Sequence, residues 1–255
     1  MHASRDRLQY VDLLLEKEAD VNGRDTRNHT ALMNVIWRSW SDGEVINDED
    51  LKLCKMILQN KYNVNEVGKK TTWIEYGGPV INMATERGTP TLVDLLLEHG
   101  ADPDITDDEH NSCVIVAVHQ NKTNILARLI SWNANLDLSG HLKIDGQRQS
   151  ITPLRCAIAQ RRTEAAMLLL LGDCDITKET YLWTNDNVPE GLVVNLELWS
   201  WMREFAFEPR PLLWLCRRKI RQMMDKRLWI NIHQLLLPPY LETVIKMKDI
   251  LGPWF

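Results

Sequence analysis

The chain has 255 residues, enough for one large domain or two small ones and for a substantial core. Charged residues at 25% and apolar residues at 44% are ordinary globular usage, which excludes wholesale disorder and a fibrous protein. The net charge of −5 exerts no general pull toward nucleic acid or an anionic membrane.

The five cysteines, Cys54, Cys113, Cys156, Cys174 and Cys216, are odd in number, scattered and never spaced C-x-x-C. They predict neither a disulfide framework nor a zinc site, and they point to a reducing compartment. The longest apolar run, Ala165 to Leu171, falls far short of the roughly 20 residues that span a bilayer. Met1 is followed by polar and charged residues rather than an apolar leader, so neither entry into a membrane nor passage across one is expected.

From the first residues onward one phrase recurs. Tyr10 to Asn22 reads YVDLLLEKEADVN and Leu51 to Asn65 reads LKLCKMILQNKYNVN. The clearest copy is Arg87 to Asp104, RGTPTLVDLLLEHGADPD, with a turn, a short apolar helix, a Gly stop and an Ala-Asp-x-Asp turn. Asn124 to Asp137 and Arg162 to Ile176 complete five copies. A companion helix start precedes four of them, at His29 to Leu32, Gly78 to Ile81, Asn111 to Val114 and Ile151 to Leu154. The first copy has no companion, so its helix is expected to present a bare apolar face; solenoids normally cap their ends, which suggests a truncated form or an end covered by a partner. In Thr-Pro-Leu a hydroxyl caps free amides, proline suits the first helical position and leucine begins the buried stripe. The Gly or Asn after each second helix is expected to supply a left-handed stop.

These units resemble ankyrin repeats, whose period is about 33 residues. Tetratricopeptide units share the Leu-rich helix pair but lack the order Gly-Ala-Asp-x-Asp, loop, Thr-Pro-Leu. Only the copy ending at Asp137 keeps the period; insertions at Arg38 to Asp50, Val67 to Gly77 and Leu138 to Ser150 stretch the others. After Ile176 repetition ceases. Lys178 to Glu190 reads as a loop and Gly191 to Ala206 as a capping helix.

Beyond Pro209 and Pro211 the character changes. At about 100° per residue, Leu212, Cys216, Ile220 and Met223 share an arc of about 80°, with Arg217, Arg218 and Arg221 roughly opposite. Pro211-Leu212-x-x-x-Cys216-x-x-x-Ile220 resembles the elongin-binding box of a SOCS box. Ile232-His233-Gln234-Leu235-Leu236-Leu237-Pro238-Pro239-Tyr240-Leu241 stands where such boxes place their cullin box, with Leu236 where the family usually has proline. Trp214, on the arginine side, is expected to pack against the rest of this box or the last repeat.

Ankyrin units followed by a SOCS box resemble the ankyrin repeat and SOCS box family over nearly the whole chain. The resemblance implies an all-α architecture: an ankyrin-repeat solenoid over residues 1–177, with helix pairs and hairpin loops, a linker and capping helix over 178–208, and a small three-helix SOCS box over 209–250. It implies a non-catalytic substrate receptor of a cullin-RING ubiquitin ligase acting in the cytoplasm, with the nucleus also open to it. Elongin C, joined by elongin B, would take Pro211, Leu212, Leu215, Cys216 and Ile220. Cullin 5 with a RING-box protein would dock at Ile232, Leu235, Leu237, Pro238 and Leu241. The target, an unidentified protein, would lie on the concave face, where Trp40, Trp73, Tyr76, Asp107 and His110 in the stretched loops are the candidate contacts. No cofactor, nucleic acid or membrane is implied. An ankyrin scaffold without a ligase role, its C-terminal helices merely capping the solenoid, stands as the alternative.

Other constellations are weaker. Asp102-x-Asp104-x-x-Asp107-Asp108 lacks the glycine of a calcium loop and has Cys113 where the bidentate Glu belongs. The seven histidines form no H-E-x-x-H, Gly77-Gly78-Pro79 is no phosphate loop, and no thiol has the partners of a catalytic nucleophile. The basic run Arg217 to Arg221 reads as a solvated or intradomain face.

Overall fold

A computed structural model describes residues 2–26, 28–41, 46–68, 77–87, 89–144, 146–179, 199–200, 203–204, 212–224, 232, 237–247 and 251. The chain divides into two compact units, Met1–Asp108 and Glu109–Phe255. The division falls inside the repeats rather than in the 178–208 segment, because the C-terminal helices pack on the fourth and fifth copies.

In the first unit, α1 (His2–Glu16) is the lone helix of copy one, α2 (Ala31–Ser41) and α3 (Asp48–Gln59) form copy two, and α4 (Val80–Arg87) and α5 (Pro90–Glu98) form copy three. The second unit contains α6 (Cys113–His119) and α7 (Thr123–Ser131), then strands β1 (Gly140–Ile144) and β2 (Gln147–Ile151), then α8 (Pro153–Ala159) and α9 (Thr163–Leu171). A 3-10 turn at Ile176–Glu179 follows, and α10 (Leu212–Met223) and α11 (Pro239–Ile245) lie beyond it.

The helix starts follow the capping chemistry read in Thr-Pro-Leu. The Thr89 hydroxyl accepts from the Leu92 amide at 3.4 Å and the Thr152 hydroxyl from the Arg155 amide at 3.1 Å, each with proline next. Ser112 is fully buried and makes no such cap, so copy four starts on packing alone. Each pair buries its apolar stripe; Leu92, Leu96, Leu97, Leu126, Leu129 and Leu168 are wholly enclosed. At α1, Tyr10, Leu13 and Leu14 are exposed, the bare face expected of a helix without its companion.

The left-handed stops sit at Glu18, Lys61, Gly100, Asn133 and Asp173, so only one of the five is glycine. The following residue closes the helix: the amides of Ala19, Ala101 and Ala134 donate to the carbonyls of Leu14, Leu96 and Leu129, all at 3.0 Å, and Cys174 donates to Leu169 at 3.1 Å. Gly172, read in sequence as the stop of copy five, is right-handed (φ −72°). It is glycine for space: a Cβ there would stand 2.7 Å from Leu136 Cδ1. The stop falls one residue later, which places Cys174 where three of the other copies have alanine and copy two has Tyr62.

The Asp-x-Asn/Asp turns form a ladder. Within a copy, the Asp102 carboxylate accepts from the Asp104 amide at 2.9 Å, and Asn135 likewise accepts from the Asp137 amide at 3.0 Å. Between copies, Asn22 accepts from the Asn63 amide (2.8 Å), Asn65 from Asp102 (2.7 Å) and Asp137 from Asp175 (2.7 Å). In the acidic phrase that superficially suits calcium, the Asp102 carboxylate accepts the Asp104 amide, and among the described residues no cluster suits a metal ion. Among the same residues no helix is long and apolar enough to cross a membrane.

Among the described residues, two of the insertions contain regular structure. Residues 138–150 contain the antiparallel pair β1–β2, with Gly140 opposite Ile151 and Ile144 opposite Gln147. Asp145-Gly146 is the strongest short hairpin signal a sequence carries, and Gly146 takes φ +80°. Helix α2 runs on to Ser41 and α3 starts at Asp48, so most of the Arg38–Asp50 insertion is helical. Asp50, read as part of an acidic loop, is buried and paired to Arg38 at 3.1 Å. The ends of the third insertion close through Gly68, whose amide donates to Gly78 at 3.0 Å.

Gly140 seats the hairpin by close approach. A Cβ there would collide with the Asn111 carboxamide and lie 2.8 Å from Ile115 Cδ1. Gly140→Ala is expected to cost about 1–3 kcal/mol in urea unfolding. The His141 amide, held by Asn111 and Glu109 at 3.0 and 3.1 Å, should lose its hydrogen-exchange protection. An unchanged midpoint with full protection would contradict this packing.

Candidate functional site

Helix α10 carries two faces of opposite chemistry, and the expectation for such a helix is that the apolar face goes inward. It does the reverse. Leu212 is 76% exposed, Leu215 47%, Ile220 41% and Met223 72%, and Cys216 is exposed as well. The buried side is cationic, with Arg217 and Arg221 only 5% and 8% exposed. Pro211 lies outside the described residues, as does the side chain of Trp214.

What draws Arg221 inward is a pair of carbonyl acceptors near two helix ends. Arg221 donates through Nη1 to the Ile245 carbonyl at 3.0 Å, at the C-terminus of α11, and through Nη2 to the Ile130 carbonyl near the C-terminus of α7. Helix C-termini leave carbonyls without intrahelical partners and carry partial negative charge, so a guanidinium fits there. Asn133 returns a bond from Nδ2 to the Arg221 carbonyl at 3.1 Å, and Arg218 pairs with Asp173 at 3.1 Å. Burial first, and then the neighbouring charge of Arg217, lower the Arg221 guanidinium to about 9, with Asp173 acting in the opposite sense. It stays cationic at neutral pH.

Beneath this face lies a small core of Ile232 and Ile245, against which Trp132, Met224 and Leu237 pack. Trp132 belongs to the fourth repeat and supplies the aromatic contact of this cluster, while the packing expected of Trp214 lies outside the described residues. Ile232 has no accessible surface, and Leu237 is partly buried in the same cluster. Ile232, expected from the sequence as a cullin contact, is enclosed in this cluster rather than on the surface. Pro238 and Leu241 are exposed, and Leu235 lies outside the described residues.

On the repeat side, Trp73, Tyr76 and the side chain of Trp40 fall outside the described residues. Asp107 is half-buried. His110 is exposed in a left-handed conformation (φ 60°), its ring 5.7 Å from that of His141 on β1. Arg148 on β2 pairs with Glu109 at 2.6 Å. Sequence reasoning missed His141 and Arg148, which the Asp145-Gly146 turn signal between the two strands could have found.

The thiols separate sharply. Cys54, Cys113, Cys156 and Cys174 are buried and Cys216 is exposed. Burial, then the Asp50 charge, pushes Cys54 up to about 12; burial pushes Cys156 up to about 12 against the pull of Arg162; burial raises Cys174 well above the ordinary thiol value. A maleimide is therefore expected to modify Cys216 alone in the native chain, read by intact mass, and modification of a second thiol before unfolding would contradict it. Thiols raised in the fold contribute stability that is whole below about pH 9 and is lost as pH rises through about 12. Arg221 works oppositely in that window, against three thiols and the Tyr62 hydroxyl, likewise raised by burial, so the melting temperature should hold to about pH 9 and fall above it.

Comparison with known families agrees with the arrangement. Ankyrin repeats, in three copies, match residues 81–180, and a SOCS box matches residues 208–244. No curated protein matches the chain.

Proposed function

This chain is an ankyrin repeat and SOCS box protein, and from that premise we propose that it is the substrate receptor of an elongin B/C–cullin 5 RING ubiquitin ligase. A SOCS box is the elongin B/C–cullin 5 adaptor motif, ankyrin repeats bind targets, and both are non-catalytic. The observation that carries the reading is the outward apolar stripe of α10. Leu212, Leu215, Cys216 and Ile220 lie on solvent, which suits a helix that enters a partner's groove. Cys216 contributes size and apolarity.

The chemistry belongs to other chains. A target lysine attacks the thioester of a charged ubiquitin-conjugating enzyme, forming an isopeptide bond and releasing the enzyme's thiol. The receptor holds that lysine nearby, and its contribution is effective concentration, worth several orders of magnitude in rate. We place this activity in the cytoplasm. Co-expression with elongins B and C tests the reading: a stoichiometric complex that supports ubiquitin transfer with cullin 5 and a RING-box protein is expected. A folded chain that recovers neither elongin would favour an ankyrin scaffold without a ligase role.

A further inference from the structure

We propose that Arg221 is the positioning residue that fixes the direction in which the adaptor helix leaves the repeats; the proposal rests on the receptor reading above. Among the described residues the inner face of α10 is held by a bridging guanidinium, a carboxamide bond and an ion pair, beside the packing of Met224 on the Ile232–Ile245 core, and Arg221 takes part in the first two. Its guanidinium joins the carbonyl of Ile130, in the fourth repeat, to that of Ile245, in the last described helix of the SOCS region. Its own carbonyl accepts from Asn133 at 3.1 Å. The third contact, Arg218 to Asp173 at 3.1 Å, ties the same face to the end of α9.

One contact would leave α10 free to pivot; contacts to two separate helix ends and to the fifth repeat set its angle. Along α10, Arg221 stands about 180° from Leu212 at 100° per residue. The residue that sets the angle is therefore not one that meets the adaptor. A planar fork with fixed donors holds two carbonyls of different helices in one geometry better than a lysine ammonium, a compact point charge on a flexible stem. Because effective concentration falls as the volume swept by a tethered group grows, a loosened α10 would keep its adaptor and lose its aim.

The test uses the full chain in complex with elongins B and C. Cysteines replacing the exposed Glu164 of α9 and Gln222 of α10 carry spin labels, with Cys216 covered by the adaptor. Pulsed dipolar spectroscopy should give one narrow distance distribution for the parent. Arg221→Met, which keeps the length and loses the donors, is expected to broaden it at least twofold while elongin stoichiometry is unchanged, and Arg221→Lys should recover part of the narrowing. An unbroadened Arg221→Met distribution overturns the proposal. If that variant yields no soluble complex, Arg221→Lys decides alone: a width equal to the parent's overturns it and a broader one supports it. If the parent itself recovers no elongin, the receptor reading fails. The same labels in a Cys216→Ser chain then judge the clamp by the same criterion of width.

Discussion

Replacing Leu212 and Cys216 together by alanine is expected to strip elongins B and C from the purified chain and leave its fold intact. Leu212 is 76% exposed and Cys216 is also exposed, so neither substitution opens a cavity in the free protein. Exposed substitutions usually fall within about 0.5 kcal/mol, so the melting temperature should stay within about 2 °C of the parent. A truncated anchor in a dry pocket costs about 2 kcal/mol or more, and each 1.4 kcal/mol is about tenfold in affinity. Loss of at least about 27-fold in elongin affinity by calorimetry follows. Undiminished affinity would end the assignment of this stripe; a large drop in melting temperature would show that the stripe packs within its own chain.

Leu126→Ala should behave in the opposite way. Leu126 is wholly enclosed in α7, between the helices of the fourth and fifth repeats. Truncation removes buried methyl groups and leaves a void that the close-packed neighbours fill only in part, at a cost of about 2–5 kcal/mol. In a chain of this size that corresponds to a fall of several degrees in melting temperature, about 2–4 °C per kcal/mol. The folded fraction should still bind elongins, because the α10 stripe is untouched. Thermal melting and elongin capture on the same samples check both halves, and an unaltered melting temperature would contradict the packing of α7.

The two leucines show how much of this molecule is legible in its residues. Leu126 belongs to a phrase that recurs five times, and recurrence with Thr-Pro starts and Asp-x-Asn/Asp turns is enough to mark the buried side of each helix. The capping at Thr89 and Thr152 follows from local chemistry alone, because donor and acceptor lie three residues apart. The hairpin at 140–151 is equally local, but it sits inside an insertion whose length breaks the repeat period and masks its turn signal. Gly172 resembles a helix terminator, yet the stop of the fifth repeat lies one residue beyond it. The real constraint on Gly172 is Leu136, a neighbour from the preceding repeat that no local pattern reveals.

Leu212 could not be settled in this way. A helical wheel says which residues share a face, and by itself an apolar face predicts burial. The sequence determined the repeats, their caps and the two-faced character of α10, since these depend on contacts within a few residues. Only the tertiary structure decided which face of α10 turns outward. That depends on carbonyls at Ile130 and Ile245, 91 and 24 residues away, whose remaining lone pairs near helix ends draw Arg221 inward and leave the leucines to solvent.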